Sequence, residues 1–354
     1  MSGAAALVRR VAPQVAALAA VLVLTAVAFP GFFDVDLAGG RLVGSPIDIL
    51  KRSAPVALLA IGMTLVIATR GIDLSVGSVM AIAGAVAAWG VTGGLGVPAA
   101  LALALVSGLA CGLWNGVLVA VFGIQPIVAT LILMVAGRGI AQLVTGGMIL
   151  TFNEPALVWF GAGTAAALPA PVWLWAAGVL AALVVRRTAL GLLIEAAGIN
   201  PRASRLAGVN TRVLLIAVYA ISGLCAARAG VIVAADIRGA DANNAGLWLE
   251  LDAIRAVVIG GTSLLGGRFS ILASLIGALT IRSINTGILL AGFPPEFNLV
   301  IKAGIVLVIL VLQSPRIGAA LGAARARREA ALAPAPRQAE PARATGHAAT
   351  EGRR

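Results

Sequence analysis

The sequence predicts an all-α membrane protein, a polytopic helical bundle of about ten transmembrane segments, some of them short or broken. Of the 354 residues, 60% are hydrophobic and only 11% are charged, so the chain holds more apolar surface than a soluble domain can bury. Its mean hydropathy is +1.03. The formal net charge of +12 lies mostly in loops and the C-terminal tail, which membrane topology explains better than nucleic-acid binding does.

Ten stretches of the chain have the apolar length of a membrane span or approach it. Pro30 and Gly31 end the first, and a turn rich in glycine separates the third from the fourth. Mixed charge predicts a loop at 32–53, and the Gly, Pro, Thr and Asn content of 145–171 predicts an irregular external loop. The expected spans are 15–29, 54–69, 74–89, 99–122, 127–144, 172–185, 213–235, 253–265, 271–290 and 299–312.

The eighth of these spans, 253–265, is too short to cross the hydrocarbon core comfortably as a helix. Glycine pairs stand in and just after it, at Gly260-Gly261 and Gly266-Gly267. They predict a broken or partly re-entrant helix, whose irregular backbone must line a cavity or pack against protein. This apolar setting favours packing or a kink in a pathway over a phosphate-binding loop.

Two other spans carry residues that bear on packing. In the fourth span, Gly108, Gly112 and Gly116 recur at four-residue spacing on one helix face, which predicts a seam where a neighbouring backbone approaches closely. In the fifth span, Arg138 is expected to extend its guanidinium to the membrane surface.

The distribution of arginine predicts which side of the membrane each loop occupies. Five arginines in and beside 188–212 face a single acid, Glu195, which places this segment in the cytoplasm. An even number of crossings then puts both termini on the cytoplasmic side. The predicted organisation is a cytoplasmic N-terminus at 1–14, a transmembrane domain at 15–313 and a disordered basic cytoplasmic tail at 314–354.

The sequence contains no arrangement of residues that indicates catalysis. No G-x-x-x-x-G-K-[ST] loop occurs, so the chain cannot hydrolyse ATP by itself, and no nucleophile, carboxylate pair or metal-ligand cluster lies in the spans. Cys111 and Cys225 fall in apolar segments, where cysteine acts as a small packing residue. We expect no cofactor, no metal and no nucleic-acid partner. Energy for any transport must come from a partner protein or an ion gradient.

The ionisable residues within the spans favour a partner protein as the energy source. An ion-coupled carrier normally needs a group at mid-membrane depth that changes its protonation state. Arginine does not deprotonate at accessible pH, and Asp73 and Asp252 lie at the ends of predicted spans. The expected intramembrane cations are Arg138, Arg228, Arg255, Arg282 and Lys302.

Three blocks bring glycines and polar residues into apolar surroundings. The first block, 62–78, reads GMTLVIATRGIDLSVGS. The second block, 188–212, reads TALGLLIEAAGINPRASRLAGVNTR and predicts a short amphipathic helix that breaks at Asn200-Pro201. The third block, 249–277, reads LELDAIRAVVIGGTSLLGGRFSILASLIG. On the residues alone, the second block is equally well explained as an ordinary interfacial loop.

Together these blocks resemble the permease subunits of monosaccharide-type ABC importers, the ribose, xylose and galactofuranose group. The resemblance covers nearly all of 54–312. Arg70 departs from it, since it stands where the pattern has the first glycine of a GG pair, while Ser204 and Arg255 replace alanines and Phe269 replaces a glycine. The matching signature residues are Gly71, Asp73, Ser75, Gly77, Gly260, Gly261, Thr262, Gly266 and Gly267.

The resemblance implies a permease in the bacterial inner membrane, surrounded by lipid, that pairs with a second permease subunit, the same chain or a related one. It also implies cytoplasmic ATPase subunits and a periplasmic binding protein that delivers a sugar. ATPase closure would press on the second block and switch a cavity from outward to inward access. The implied coupling residues are Gly191, Glu195, Ala196, Ala197, Gly198, Asn200, Pro201, Ala203 and Gly208.

The solute implied by the resemblance is a neutral sugar, which calls for hydrogen-bonding groups and an aromatic face along its pathway. The candidates are Trp114, Asn115, Thr262, Ser263 and Asn285. A branched-chain amino acid ABC permease would share the architecture, but the sequence motifs GIDLSVG and GGTSLLGG favour the sugar branch. An ion-coupled carrier stays open as a different class. A membrane scaffold is disfavoured because it needs no glycine-broken segments at mid-membrane depth.

Overall fold

The computed structural model describes residues 3–292 and 294–312, so the predicted tail at 314–354 lies outside the described residues. The described residues up to 309 form one compact unit. In chain order the helices are α1 Gly3–Ala28, α2 Ser45–Ala68, α3 Val76–Thr92, α4 Val97–Ala120, α5 Pro126–Thr145, α6 Pro155–Ala162, α7 Ala170–Arg187, α8 Ala189–Ile199, α9 Pro201–Leu206, α10 Thr211–Ile237, α11 Leu249–Ile259, α12 Ile271–Leu290 and α13 Pro295–Leu312.

Seven of the described helices, α1, α2, α4, α5, α7, α10 and α12, are long and apolar enough to cross a membrane. The other three expected spans coincide with α3, α11 and α13. The 17 residues of α3 and the 11 of α11 extend only about 25 Å and about 16 Å, short of a hydrocarbon core of about 30 Å. The structure therefore confirms a polytopic helical bundle that contains short segments.

The predicted loop at 32–53 is partly ordered. Helix α2 begins at Ser45, nine residues before the predicted span at Ala54. The first turns of α2 carry Asp48, Lys51 and Arg52, so hydropathy identifies only the apolar remainder of the helix.

Short antiparallel strand pairs lie in the loops. Strand β1 Asp36–Ala38 pairs with β2 Arg41–Val43, β3 Leu150–Thr151 with β6 Gly239–Ala240, and β4 Thr164–Ala165 with β5 Leu168–Pro169. The expected irregular loop at 145–171 thus holds α6 as well as three strands. The β3–β6 pair ties this loop to the end of α10.

Helix α10 lies at the centre of the bundle, packed against α2, α3 and α4. The predicted glycine seam of α4 faces it. A Cβ atom on Gly108 would lie 2.6 Å from the Gly223 carbonyl oxygen, and one on Gly112 would lie 2.4 Å from the Tyr219 carbonyl oxygen. Only glycine permits this approach of the two backbones, so the seam fixes α4 on α10.

The two ends of the bundle differ in charge. The end where α2 and α7 finish and α8 and α9 lie carries seven arginines and one acid, Glu195. We call this the arginine-rich end. At the opposite end, where α2 begins and α10 finishes, six acids face four bases; we call this the acidic end. The arginines are Arg70, Arg186, Arg187, Arg202, Arg205, Arg212 and Arg268, the six acids are Asp34, Asp36, Asp48, Glu154, Asp236 and Asp241, and the four bases are Arg41, Lys51, Arg52 and Arg238.

Candidate functional site

All three sequence blocks meet at the arginine-rich end. Arg70, in the turn after α2, donates from Nε to the Gly198 carbonyl oxygen and from Nη2 to the Ile199 carbonyl oxygen, both at 2.6 Å. The Ala68 carbonyl oxygen at the end of α2 accepts a hydrogen bond from the Gly267 amide at 2.9 Å. The first block is thus bonded directly to the second through Arg70 and to the third through Ala68.

Close backbone approach makes this junction tight. A Cβ atom on Gly198 would lie 1.8 Å from the Ala68 carbonyl oxygen and 2.7 Å from the Gly267 amide nitrogen, distances that no side chain tolerates. Arg70 itself has φ +67°, a left-handed conformation that favours glycine. The glycine expected there by the family pattern satisfies the backbone, and the arginine of this chain accepts the same conformation while adding two hydrogen bonds.

The end of α7 and helix α8 are each tied to the loop after α11. Glu195 Oε1 lies 3.7 Å from Arg268 Nε. Arg186, in the last turn of α7, donates to the Phe269 carbonyl oxygen and places its guanidinium carbon 4.9 Å from the centroid of the Phe269 ring. The second and third blocks therefore lie against each other along α8.

The remaining coupling candidates shape the second block locally. Asn200 ends α8, and its side-chain oxygen accepts from the Arg202 and Ala203 amides at 3.1 and 3.0 Å, which caps α9. Pro201 occupies the first position of α9, where a missing N–H costs nothing. Gly191 packs on the Arg186 backbone, Ala197 is buried, Ala196 is half-buried and Gly208, with φ +87°, turns the chain into α10.

A buried polar cluster lies deeper in the bundle, around Asp73. The Asp73 side chain is 2% exposed. Its Oδ1 accepts from the Ser75 hydroxyl at 2.6 Å and the Ser75 amide at 3.1 Å, while its Oδ2 accepts from the Ser222 hydroxyl at 2.9 Å. Asn115 Nδ2 donates to Ser75 Oγ at 2.8 Å. These contacts join the α2–α3 connection to α4 and α10.

The depth of Asp73 corrects the expectation that this acid lies at the end of a span. Its partner Ser222 is the twelfth residue of α10, about 17 Å along a helix of about 40 Å. Hydropathy places Asp73 at the end of a span because it follows an apolar run. In the structure the chain folds back into the bundle after α2, and α3 begins at this depth.

A second break in the helices, the loop before α11, packs against the α2–α3 connection. A Cβ atom on Gly77, in the first turn of α3, would lie 2.5 Å from both the Gly246 carbonyl oxygen and Glu250 Oε2. Gly246 ends the loop before α11, and Glu250 lies in the first turn of α11 and is 6% exposed. The short helices α3 and α11 therefore begin side by side inside the bundle.

Charged residues near this second break are held by protein partners. Asp252, 4% exposed, lies 2.9 Å from Arg255 Nη1 and 3.0 Å from Lys302 Nζ. Arg138 donates to the carbonyl oxygens of Ala242 and Ala245 at 2.9 and 2.6 Å. The Arg138 guanidinium is thus fixed to the loop before α11 rather than extended freely to the membrane surface.

The five predicted pathway residues do not converge on one place. Trp114 is 56% exposed, whereas Asn115 belongs to the Asp73 cluster and its Oδ1 has no hydrogen-bond partner among the described residues. Thr262 is buried and Ser263 exposed in the loop after α11, and Asn285 is buried on α12. Their roles in a pathway stay predictions.

Sequence reasoning missed Ser222 and the ion pair between Lys51 Nζ and Asp236 Oδ1, which are 2.6 Å apart. Ser222 stands in an unbroken apolar run and gives no signal.

At the acidic end, hydrogen bonds led by the Asn244 side chain lower the pKa of Asp241 below its ordinary value. Within 3–292 and 294–312, no group of three or more His, Cys, Asp or Glu side chains is arranged to hold a metal ion.

Comparison with known proteins assigns the family. The family model described as a branched-chain amino acid transport system permease component matches residues 45–310. The galactofuranose transporter permease protein of Escherichia coli (strain K12) is 61% identical over 316 residues, 89% of this chain and 93% of that one. The fructose import permease protein of Bifidobacterium longum (strain NCC 2705) is 46% identical, with 78% and 80% of the two chains covered.

The ribose import permease protein of Escherichia coli (strain K12) is 39% identical over 84% of this chain and 93% of its own. No solved structure matches the chain significantly. The chain therefore belongs to this family of transport permeases, and the resemblance of its three blocks to the permeases of monosaccharide ABC importers is confirmed.

Proposed function

We propose that this chain is the membrane-spanning permease subunit of an ATP-driven importer that moves a monosaccharide. The observation that carries the proposal is the junction at the arginine-rich end, where Arg70 and Gly198 join the second block to the α2–α3 break. The support from comparison is that the permeases at 61%, 46% and 39% identity carry galactofuranose, fructose and ribose in their names. These names favour a sugar over a branched-chain amino acid.

The orientation we propose follows from charge. Seven arginines against Glu195 place the arginine-rich end in the cytoplasm, since basic residues concentrate in cytoplasmic loops. Residues 1–14 and the tail at 314–354 would then lie in the cytoplasm as well. The acidic end would face the periplasm and receive the sugar-binding protein.

Coupling in this proposal is mechanical. A cytoplasmic ATPase subunit docks on α8 and α9, and its closure pushes α8 toward the end of α2. Because the Gly198 backbone touches Ala68 and Gly267, little of that displacement is lost within the junction. It reaches the α2–α3 connection and the buried Asp73 cluster, and the bundle of one subunit moves against that of a second permease subunit.

ATP hydrolysis in this proposal belongs to the separate ATPase subunit. The chain supplies the gate, and no ionisable group has to change its protonation state during transport. Asp73 is buried, and its carboxylate accepts three hydrogen bonds from Ser75 and Ser222.

The test is uptake of labelled D-galactose, D-fructose and D-ribose into proteoliposomes. The vesicles contain this chain with its cognate ATPase and binding protein, or the chain alone under a proton or sodium gradient. We expect uptake of at least one of these sugars that requires ATP and both partners. Gradient-driven uptake by the chain alone, or ATP-dependent uptake of leucine with none of the sugars, would overturn the proposal.

A further inference from the structure

A cleft at the acidic end holds polar groups that take no part in the proposed coupling. Its volume is about 240 Å³, and it lies between α2, α10, α12 and the loop before α11. Pockets for drug-sized ligands measure about 300–1,000 Å³, so this one suits a smaller ligand such as a single sugar ring.

The cleft extends inward to the place where the two short helices begin. Gly246 and Leu249 form part of its wall, and Gly246 packs on Gly77 in the first turn of α3. A ligand in the cleft would therefore lie between the acidic surface and the Asp73 cluster.

Arg282, on α12, indicates which kind of ligand the cleft binds. Its Nε is buried and has no hydrogen-bond partner within the described part of the chain. A buried donor without a partner is costly, and the guanidinium carries five donors in a planar fork. The terminal nitrogens of this fork can bind two adjacent oxygens at the spacing of vicinal hydroxyls or of a carboxylate.

Besides Arg282, the charged groups that line the cleft are Lys51, Arg52 and Asp236. Lys51 is already paired with Asp236 at 2.6 Å, and the Asp236 carboxylate offers an acceptor that a hydroxyl can use and an anion cannot. Asn244, whose Nδ2 donates to Asp241, adds an amide oxygen, and Val56 and Met80 supply apolar surface. Donors, an acceptor and an apolar wall in one small cavity are the features of a site for a polyhydroxylated ring.

We propose that this cleft is a binding site for a neutral monosaccharide inside the permease itself, with Arg282 donating to two neighbouring hydroxyls and Asp236 accepting from a third. The proposal rests on the proposed function and adds to it a solute site distinct from the five residues predicted from the sequence.

The first test is protection of a thiol in the cleft. The full-length chain with Asn244→Cys, reconstituted without the ATPase, is labelled with a membrane-impermeant maleimide. The labelling is done in the presence of the sugar, D-galactose, D-fructose or D-ribose, that the uptake assay shows to be imported. We expect the labelling rate to fall at least about threefold at saturation, with no change for Cys introduced at Arg41 outside the cleft. No protection by that sugar would overturn the site.

The same assay separates neutral from anionic ligands. Inorganic phosphate and D-galacturonate, each at the same concentration, are expected to protect no better than buffer. Protection by either anion without protection by the neutral sugar would overturn the proposal, since the cleft would then be an anion site.

The second test uses transport by the whole importer. Loss of a hydrogen bond from a charged donor costs about 1.5–3 kcal/mol, roughly ten- to a hundredfold. Arg282→Gln is therefore expected to raise the half-saturating sugar concentration at least about tenfold, with a smaller rise for Arg282→Lys and none for Arg41→Gln. Surface expression and thermal unfolding confirm that each variant folds.

The outcomes distinguish the two proposals. If the wild-type complex imports a sugar and Arg282→Gln leaves its half-saturation unchanged, the cleft is not the site and the proposed function stands. If the wild-type complex imports no sugar, the proposed function itself fails, whatever the variants do.

Discussion

The two ends of the bundle are built on different physical principles. At the arginine-rich end, backbone touches backbone at Gly198, Ala68 and Gly267, and Arg70 adds two short hydrogen bonds to main-chain carbonyls. At the acidic end, side chains surround a cleft, and the Lys51–Asp236 ion pair stays partly exposed. Close backbone packing transmits a displacement with little loss, whereas an open polar cleft can accept and release a small molecule.

Substitutions in the second block should therefore affect coupling rather than solute binding. At the acidic end the reverse is expected, with changes in half-saturation and little change in ATP consumed per sugar. The variants below test this division, from the largest expected effect to the smallest.

Gly198→Leu should have the largest effect. The first side-chain carbon would overlap the Ala68 carbonyl oxygen, and overpacking a tight site costs about 1–3 kcal/mol. Since α8 must move away from α2, ATP-dependent uptake should fall at least about tenfold (1.4 kcal/mol per tenfold) while ATP hydrolysis by the complex continues. Both rates are measured in the same proteoliposomes.

The matched control for this variant is Gly139→Leu on α5, where a Cβ atom meets nothing within 4 Å. It should insert and transport like the wild type. Equal uptake by Gly198→Leu and Gly139→Leu would mean that the junction transmits nothing.

Asp73→Asn should come next, and it tests the region between the two ends. An amide retains an acceptor but turns a donor toward one of the serine groups that now donate to the carboxylate. An unsatisfied buried donor costs about 1–3 kcal/mol, so the midpoint of thermal unfolding should fall by several degrees.

Ser222→Ala removes one of the three donors and should cost less than Asp73→Asn. Ser107→Ala is its control, because the Ser107 hydroxyl only bonds back to the Ala104 carbonyl of its own helix. If all three variants unfold together with the wild type, the Asp73 cluster does not stabilise the α2–α3 break.

How far the sequence predicts this structure differs between the two ends. Hydropathy predicted the long spans, glycine spacing the α4 seam, and the Asn200-Pro201 pair the end of α8, since each depends on local composition. The junction at the arginine-rich end follows in part, because its three blocks carry recognisable glycines. No pattern in the sequence predicts that the Arg70 side chain donates hydrogen bonds to the carbonyl oxygens of residues 198 and 199.

The acidic end was harder to predict. The Lys51–Asp236 pair joins residues 185 positions apart, and no local pattern connects them. The depth of Asp73 escaped prediction for a related reason, since hydropathy assumes that a span runs straight to a surface. Where a chain folds back into the bundle, its polar residues lie deeper than hydropathy predicts.

Arg70→Gly should have a moderate effect. It restores the family pattern and keeps the left-handed backbone, but it removes both hydrogen bonds to the second block. Because the guanidinium is partly exposed, we expect a loss of about 1 kcal/mol, seen as a severalfold drop in sugar imported per ATP. Arg70→Ala should also lower the unfolding midpoint, since alanine at φ +67° is strained.

Comparing these two variants separates hydrogen bonding from backbone strain. A drop in coupling shared by both assigns the effect to the lost bonds, whereas a drop in Arg70→Ala alone assigns it to the backbone. Coupling at the wild-type level in both would limit the junction to Gly198 and its neighbours.

Glu195→Arg should have the smallest effect on stability. The Glu195–Arg268 pair is 3.7 Å apart and the Arg268 side chain is 77% exposed, and such surface pairs contribute about 0–1 kcal/mol. The unfolding midpoint should therefore change little. If α8 docks on the ATPase, however, reversing this charge should still lower sugar imported per ATP about two- to threefold, the change expected for about 0.5 kcal/mol. Arg268→Glu breaks the same pair away from α8, so a loss confined to Glu195→Arg would locate the docking surface on α8, and equal losses would reduce it to the ion pair.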